Sequence, residues 1–216
     1  MSRRSLVLVV AALAAYKSLE HAVVFGLRLW PVLGALLLLG ALWAPIRPRA
    51  GMAVVAAGAL VVNLTPAYRN HLALLFWVAL ALAIFADEHH ARLALRCQLS
   101  LMYGFAALAK LWPDWLSGEV LQARTWLGAA SPEVVVVGLA WATIAAEAAL
   151  AVAAWSRRRE WFLLAVATHV GFLAFTYADP IGVGRLAVFA TLSLATWLYA
   201  ARAMAPRPQA GAPAYV

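Results

Sequence analysis

Eight apolar stretches divide the chain, at about 5–24, 29–45, 51–67, 71–86, 93–112, 133–155, 159–177 and 181–201. No other feature narrows the possible folds so far. Crossing a bilayer core takes roughly 20 helical residues, and each stretch approaches that length. In lipid every backbone polar group must be satisfied internally, which leaves helices or a closed barrel. The stretches are rich in Ala and Leu and lack the alternation of barrel strands, so helix is the expected state. With 66% of its 216 residues apolar, the chain keeps no soluble domain of useful size. The sequence therefore predicts an all-α, polytopic bundle of about eight transmembrane helices. One domain is expected over 1–202, and 203–216, rich in Pro and Ala, is expected as a disordered cytoplasmic tail. The second, third and fourth stretches are short, so they tilt little or one is re-entrant.

Arginine placement orients this drawing. With the N-terminus in the cytoplasm, eight spans put Arg3, Arg4, Arg47, Arg49, Arg92, Arg96, Arg157, Arg158, Arg159, Arg202 and Arg207 on that side, eleven of the seventeen basic residues. The positive-inside rule is then met at every turn, and both termini are cytoplasmic. The expected location is the cell membrane, with the 113–132 loop, His71 and Lys110 toward the outer face. The net charge of +8 reads as topology, so the expected partner is the bilayer and not nucleic acid. Arg3-Arg4, an apolar run and Ala12-Leu13-Ala14 imitate a signal peptide; a retained first span is expected. The single cysteine, Cys97, excludes an internal disulfide.

Ionisable groups inside spans are costly and mark function. Lys17, Glu20 and His21 share one face of the first span, where an internal salt bridge is the expected arrangement. Asn70-His71 opens the fourth span, either as a helix cap or as polar groups aimed at a bound headgroup. Lys110 closes the fifth span and is the only lysine besides Lys17. It either snorkels outward and pairs with Asp114 one turn on, or serves as a base, since a lysine can lose its proton and an arginine cannot. Glu147, among alanines in the sixth span, needs a partner from another helix or must be protonated. His169, at similar depth in the seventh, is the first candidate, holding two helices together or relaying a proton. Arg185 is expected to pair with Asp179 or to bind an anionic headgroup. No metal-ligand spacing occurs. His89-His90 beside Asp87-Glu88 point apart on a helix and read as a solvated loop. The expected site is a cavity that Lys110 and His71 share, lined by Tyr103, Trp112 and Trp115, with Asp114 pointing away from it.

Several of these residues fall in an order that resembles a known family. Arg69-Asn70-His71-Leu72, then Arg96-Cys97-Gln98, then Tyr103-Gly104-Phe105-Ala106-Ala107-Leu108-Ala109-Lys110-Leu111 and Asp114-Trp115-Leu116-Ser117-Gly118 are similar to motifs of the vitamin K-dependent γ-glutamyl carboxylases and their bacterial relatives with a horizontally transferred transmembrane (HTTM) domain. Glu147, Arg157 to Arg159 and Thr168-His169 resemble the family's later acidic, basic and His positions. The resemblance covers about 65–200. It implies a quinol-dependent oxygenase or epoxidase, coupled in the family to carboxylation. The lysine matching Lys110 would act as a free amine that deprotonates reduced vitamin K or menaquinone hydroquinone, with dioxygen and carbon dioxide as co-reactants. The histidine matching His71 would hydrogen-bond a quinol oxygen, with Asn70, Tyr103, Trp112, Trp115 and His169 around the ring. Glu147, Asp114 and Arg185 would be structural or relay groups, and a secreted peptide or protein the final substrate.

The sequence departs from that pattern in two ways. The carboxylases carry a large lumenal domain after their spans, whereas this chain ends fourteen residues past the expected domain at 1–202. Ala109 stands where the family often has a second lysine. A weaker resemblance, through an A-x-A-K-L element before a loop, is to DoxX-type and methylamine-utilisation membrane proteins. It implies instead a non-catalytic accessory protein of a redox or peptide-maturation complex.

Overall fold

Helix occupies all eight apolar stretches. The computed structural model describes residues 1–25, 34–64, 70–156, 158, 160–175 and 180–201. The longer helices are α1 (Arg3–Phe25), α2 (Ala35–Trp43), α3 (Pro48–Asn63), α4 (Asn70–Ile84) and α5 (Glu88–Ala109). Three short ones follow, α6 (Pro113–Leu116), α7 (Glu119–Arg124) and α8 (Trp126–Ala130). The chain then forms α9 (Glu133–Ala153), α10 (Glu160–Phe175) and α11 (Pro180–Ala200). No β-strand occurs among the described residues. Three helices are long and apolar enough to cross a membrane, over Arg3–Val23, Glu133–Ala153 and Val183–Ala200, so the chain is a membrane protein. The helices over Pro48–Asn63, His71–Ile84 and Glu160–Ala174 are apolar but shorter.

Local chemistry sets the boundaries. Pro48, Pro113 and Pro180 open α3, α6 and α11, at positions where a missing N–H costs nothing. Gly118 separates α6 from α7 with a φ of 84°, and a side chain there would also lie 2.8 Å from Val136 Cγ1. Asp87 caps α5: its Oδ1 accepts from the His90 N–H at 3.0 Å, and its Oδ2 meets His90 Nδ1 at 2.5 Å. The backbone hydrogen bond first, and the ring second, hold the Asp87 carboxyl down at about 2. The cap therefore stabilises the fold fully above the ordinary carboxyl pKa near 3.8 and is lost as pH falls through about 2. Asp87→Ala should lower the melting temperature at pH 7, and most of that difference should be gone by about pH 2. An equal difference at both pH values would show that the charged cap contributes nothing.

Packing divides the bundle into two parts joined by α5 and α11. One core runs through α1 to α4 with parts of α5 and α11, built on Leu6, Val10, Met52, Leu75, Leu95 and Tyr199. The other links α5, α9, α10 and α11 through Leu99, Leu150, Ala165 and Trp197. In the first, α2 and α3 approach very closely. A Cβ on Gly51 would sit 2.4 Å from the Ala44 backbone, the small-residue contact that membrane helices use in place of a hydrophobic driving force.

The arginines at one end are structural. Arg3 donates to the Leu82, Phe85 and Ala86 carbonyls at 2.6–2.7 Å, and Arg49 to Ala83 and Ile84. Both neutralise the unsatisfied, negative C-terminus of α4. Arg92 and Arg96, placed by the charge pattern on the cytoplasmic side, lie inside α5 and are buried. Arg96 donates from Nε and Nη2 to the Ala200 carbonyl at 3.0 and 2.9 Å. Arg92 pairs with Glu88 and lies 5.1 Å from the Tyr199 ring centre. The expected tail 203–216, with Arg28, Arg69, Arg157, Arg159, Asp179, Arg202 and Arg207, lies outside the described residues.

Candidate functional site

Lys110 is the C-cap of α5, and its side chain runs back along the helix instead of outward. Its Nζ donates to the Ala106 carbonyl one turn earlier at 3.3 Å and to both carboxylate oxygens of Glu147, at 2.7 and 2.6 Å. The three ammonium protons thus have three acceptors. The register comes from α5 packing on α9, where Ser100 Oγ donates to the Ala151 carbonyl at 2.7 Å. That contact brings the Ala106 turn level with Glu147. The Trp115 ring centre lies 5.0 Å from Nζ and that of Phe172 6.0 Å, both at cation–π range. Snorkelling is thereby overturned: the Trp115 ring lies over Nζ, and the carboxylate that Lys110 bonds lies on α9.

The expected partners change accordingly. Glu147, buried at 5% exposure, pairs with Lys110 and not with His169. His169 Nε2 instead shares a 2.7 Å hydrogen bond with Tyr103 Oη, and its ring meets Phe189 edge-on. Asp114 is exposed on α6 and makes no ion pair with Lys110, because the short helix started by Pro113 carries it away. Trp112 leaves the site too. It is 69% exposed, since the backbone is extended there (φ −81°, ψ 145°) before α6 begins. Asn70 starts α4; its side chain lies outside the described residues.

Seven of the sequence candidates, His71, Tyr103, Lys110, Trp115, Glu147, His169 and Arg185, line one cavity of about 530 Å³. It lies where the two parts of the bundle meet. His71 comes from the start of α4 and is 6% exposed. Trp115 buries its Nε1–H without an acceptor among the described residues. A second cavity of about 840 Å³, mostly apolar, runs between α4 and α5 and shares Met102, Ala106 and Phe189 with the first.

Arg185 lines the polar cavity, but its partner is Glu20 on α1, bonded from Nε at 3.0 Å. Glu20 also pairs with the fully buried Lys17, and His21 Nδ1 bonds the Lys17 carbonyl at 2.6 Å. The salt bridge expected on α1 is therefore one part of a network that reaches α11.

No family model, curated protein or solved structure matches the chain. The site is therefore read from its own geometry. Its lining also includes residues that are not among the sequence candidates, Arg124, Phe172 and Phe189 among them. For Arg124 a signal existed, as an outer-loop basic residue, but an exposed arginine in a loop looks the same whether it faces a cavity or water. The two phenylalanines are indistinguishable in sequence from lipid-facing ones.

Proposed function

We propose that the polar cavity binds the headgroup of a reduced quinone, vitamin K or menaquinone hydroquinone, and that Lys110 and Glu147 together take up its proton. The observation that carries this reading is the Lys110–Glu147 pair, held in a cavity that His71, Tyr103 and His169 also line. The volume lies within the range of small-molecule sites, roughly 300–1,000 Å³. Trp115 and Phe172 offer flat faces for a ring, and the uncommitted Trp115 Nε1–H fits a ring oxygen. The adjoining apolar cleft suits an isoprenoid chain.

When bound, a hydroquinone supplies electrons and an acidic O–H. The side chains supply the acceptor. As it stands, Lys110 has no free lone pair, so it is not the isolated amine that the carboxylase resemblance implies. Transfer of one proton from Nζ to Glu147, across 2.6 Å, uncovers the amine while keeping the pair neutral. The pair then takes a proton from the ligand and leaves a positive charge beside the developing anion, the arrangement that electrostatic catalysis needs. Dioxygen, carbon dioxide and a secreted peptide substrate follow from the family resemblance.

Titration of the reconstituted protein with menaquinone tests the binding. Tyr103→Phe and His169→Gln should each weaken it roughly ten-fold, the worth of one well-placed hydrogen bond. Wild-type affinity in both variants would remove the quinol reading. An accessory protein is the second reading. It is favoured by the same ion pair, which bridges α5 and α9 and could serve adhesion alone.

The proposed topology is eight spans, both termini cytoplasmic and the cavity toward the outer face. Its support is the opposition of the two ends: Arg3, Arg49 and Arg96 at one, Lys110, His71 and Arg185 at the other. In intact cells Ser117→Cys should react with an impermeant thiol reagent and Ser156→Cys should not. Reversed labelling would turn the drawing over.

A further inference from the structure

The hydrogen bond between Tyr103 and His169 can run in either direction, and its surroundings decide which. Tyr103 on α5 and His169 on α10 are 3% and 4% exposed, and Oη lies 2.7 Å from Nε2. Either the phenol donates to the ring or the ring donates to the phenol. In the second case the Tyr103 proton needs another acceptor, because a buried donor left without one costs more than an unused lone pair. Two polar groups flank the Tyr103 oxygen, Trp197 Nε1 and Ser193 Oγ. They belong to residues 2% and 0% exposed, and neither closes a hydrogen bond among the described residues. An indole N–H can only donate. A serine could accept, but its own proton would then be stranded. Its Oγ makes no bond to a carbonyl one turn back, of the kind that Thr196 makes to Leu192. The neighbourhood is therefore rich in donors and poor in acceptors. Only the first direction gives the Tyr103 proton an acceptor and leaves the oxygen lone pairs to the two donors.

We propose that Tyr103 is a positioning residue: it donates to His169 Nε2, so that His169 carries its proton on Nδ1 and offers the polar cavity a hydrogen-bond donor. In a neutral imidazole one ring nitrogen donates and the other accepts. Nδ1 makes no hydrogen bond among the described residues and is not sealed off as Trp197 Nε1 is, while His169 lines the cavity. Phe189 meets the ring edge-on, 5.6 Å between centres, and holds its plane. The ligand atom that meets His169 is therefore an acceptor oxygen, as in a carbonyl, an ether or a hydroxyl whose own proton points elsewhere. With Nδ1 occupied, His169 is not the group that takes a proton from the ligand. The inference does not rest on the quinol reading. Where that reading holds, proton uptake stays with Lys110 and Glu147, and His169 binds an oxygen lone pair.

Solid-state nitrogen NMR of ring-labelled histidine, on the full chain in liposomes near neutral pH, reads the tautomer directly. The His169 signals are identified by their loss in His169→Gln. The wild type should show Nδ1 protonated and Nε2 bare, favoured roughly ten-fold or more over the reverse form, the worth of one orphaned buried donor. Tyr103→Phe removes the donor to Nε2, and that preference should fall roughly ten-fold. A proton on Nε2 in the wild type, alone or with one on Nδ1, overturns the inference, and so does an unchanged preference in Tyr103→Phe. If Tyr103→Phe fails to fold, the wild type is searched for a cross-peak between the Tyr103 hydroxyl proton and Nε2; its presence supports the direction and its absence overturns it. Oxidised menaquinone, whose ring oxygens only accept, is the ligand probe. On binding it should move the Nδ1–H proton signal downfield. Binding with that signal unmoved shows that the donor does not meet the ligand, and overturns the inference. No binding removes the quinol reading, and the tautomer alone then decides this one.

Discussion

Glu147→Leu alone should cost about 3–5 kcal/mol of stability, and adding Lys110→Met should restore most of it. The single change leaves an ammonium stranded among apolar groups. Its side chain is 16% exposed and that of Glu147 only 7%, so water cannot replace the lost partner. The double change removes both charges and leaves side chains of similar volume, which is often close to neutral for a buried pair. Denaturation in mixed detergent micelles measures all three proteins. The same comparison separates structure from chemistry. A folded double variant that no longer consumes hydroquinone supports the pair as a working group. A double variant as active as the wild type would leave the pair an adhesive between α5 and α9. Equal stability in all three proteins would show that the cavity is wet enough to solvate a lone ammonium.

The helical stretches were legible in the sequence because lipid imposes them: apolar length alone separates Val134 to Ala153 from its flanks. The need of Glu147 for a partner was legible as well, since no base lies near it on α9. The identity of that partner was not. Lys110 closes its stretch and looks interfacial until α9 brings Glu147 to its amine and the side chain turns back toward Ala106. His169, at matching depth, was the obvious partner by position, but its ring is taken by Tyr103 from α5. Trp112 and Trp115 read alike in sequence. Pro113 separates them by starting a helix, so that one faces outward and the other stacks over Lys110. Arg92 and Arg96 counted toward topology only as cytoplasmic-side charges. Arg96 in fact satisfies the last carbonyl of α11, a contact between residues far apart in the chain. In each case the missing information was tertiary: which helix end another segment covers.

Lys110→Arg should reduce hydroquinone oxidation by roughly 10²–10⁴-fold, the range for removing a general base, while leaving the fold and quinone binding near normal. The argument rests on what arginine keeps and what it loses. A guanidinium can still make two hydrogen bonds to the Glu147 carboxylate, so the helix contact and the buried charge balance survive. It cannot give up a proton at accessible pH. If proton uptake passes through an uncovered amine at Nζ, the variant is folded, ligand-bound and inactive. Glu147→Gln tests the other half of the pair, because an amide cannot receive the proton that Lys110 must release. Oxygen consumption with menaquinone hydroquinone, measured on reconstituted protein, reads both variants. Loss in both fits the pair as one base. Loss in Glu147→Gln with full activity in Lys110→Arg would assign the proton to the carboxylate alone and make Lys110 its counter-ion. Full activity in both would place the chemistry elsewhere and put the accessory-protein reading first.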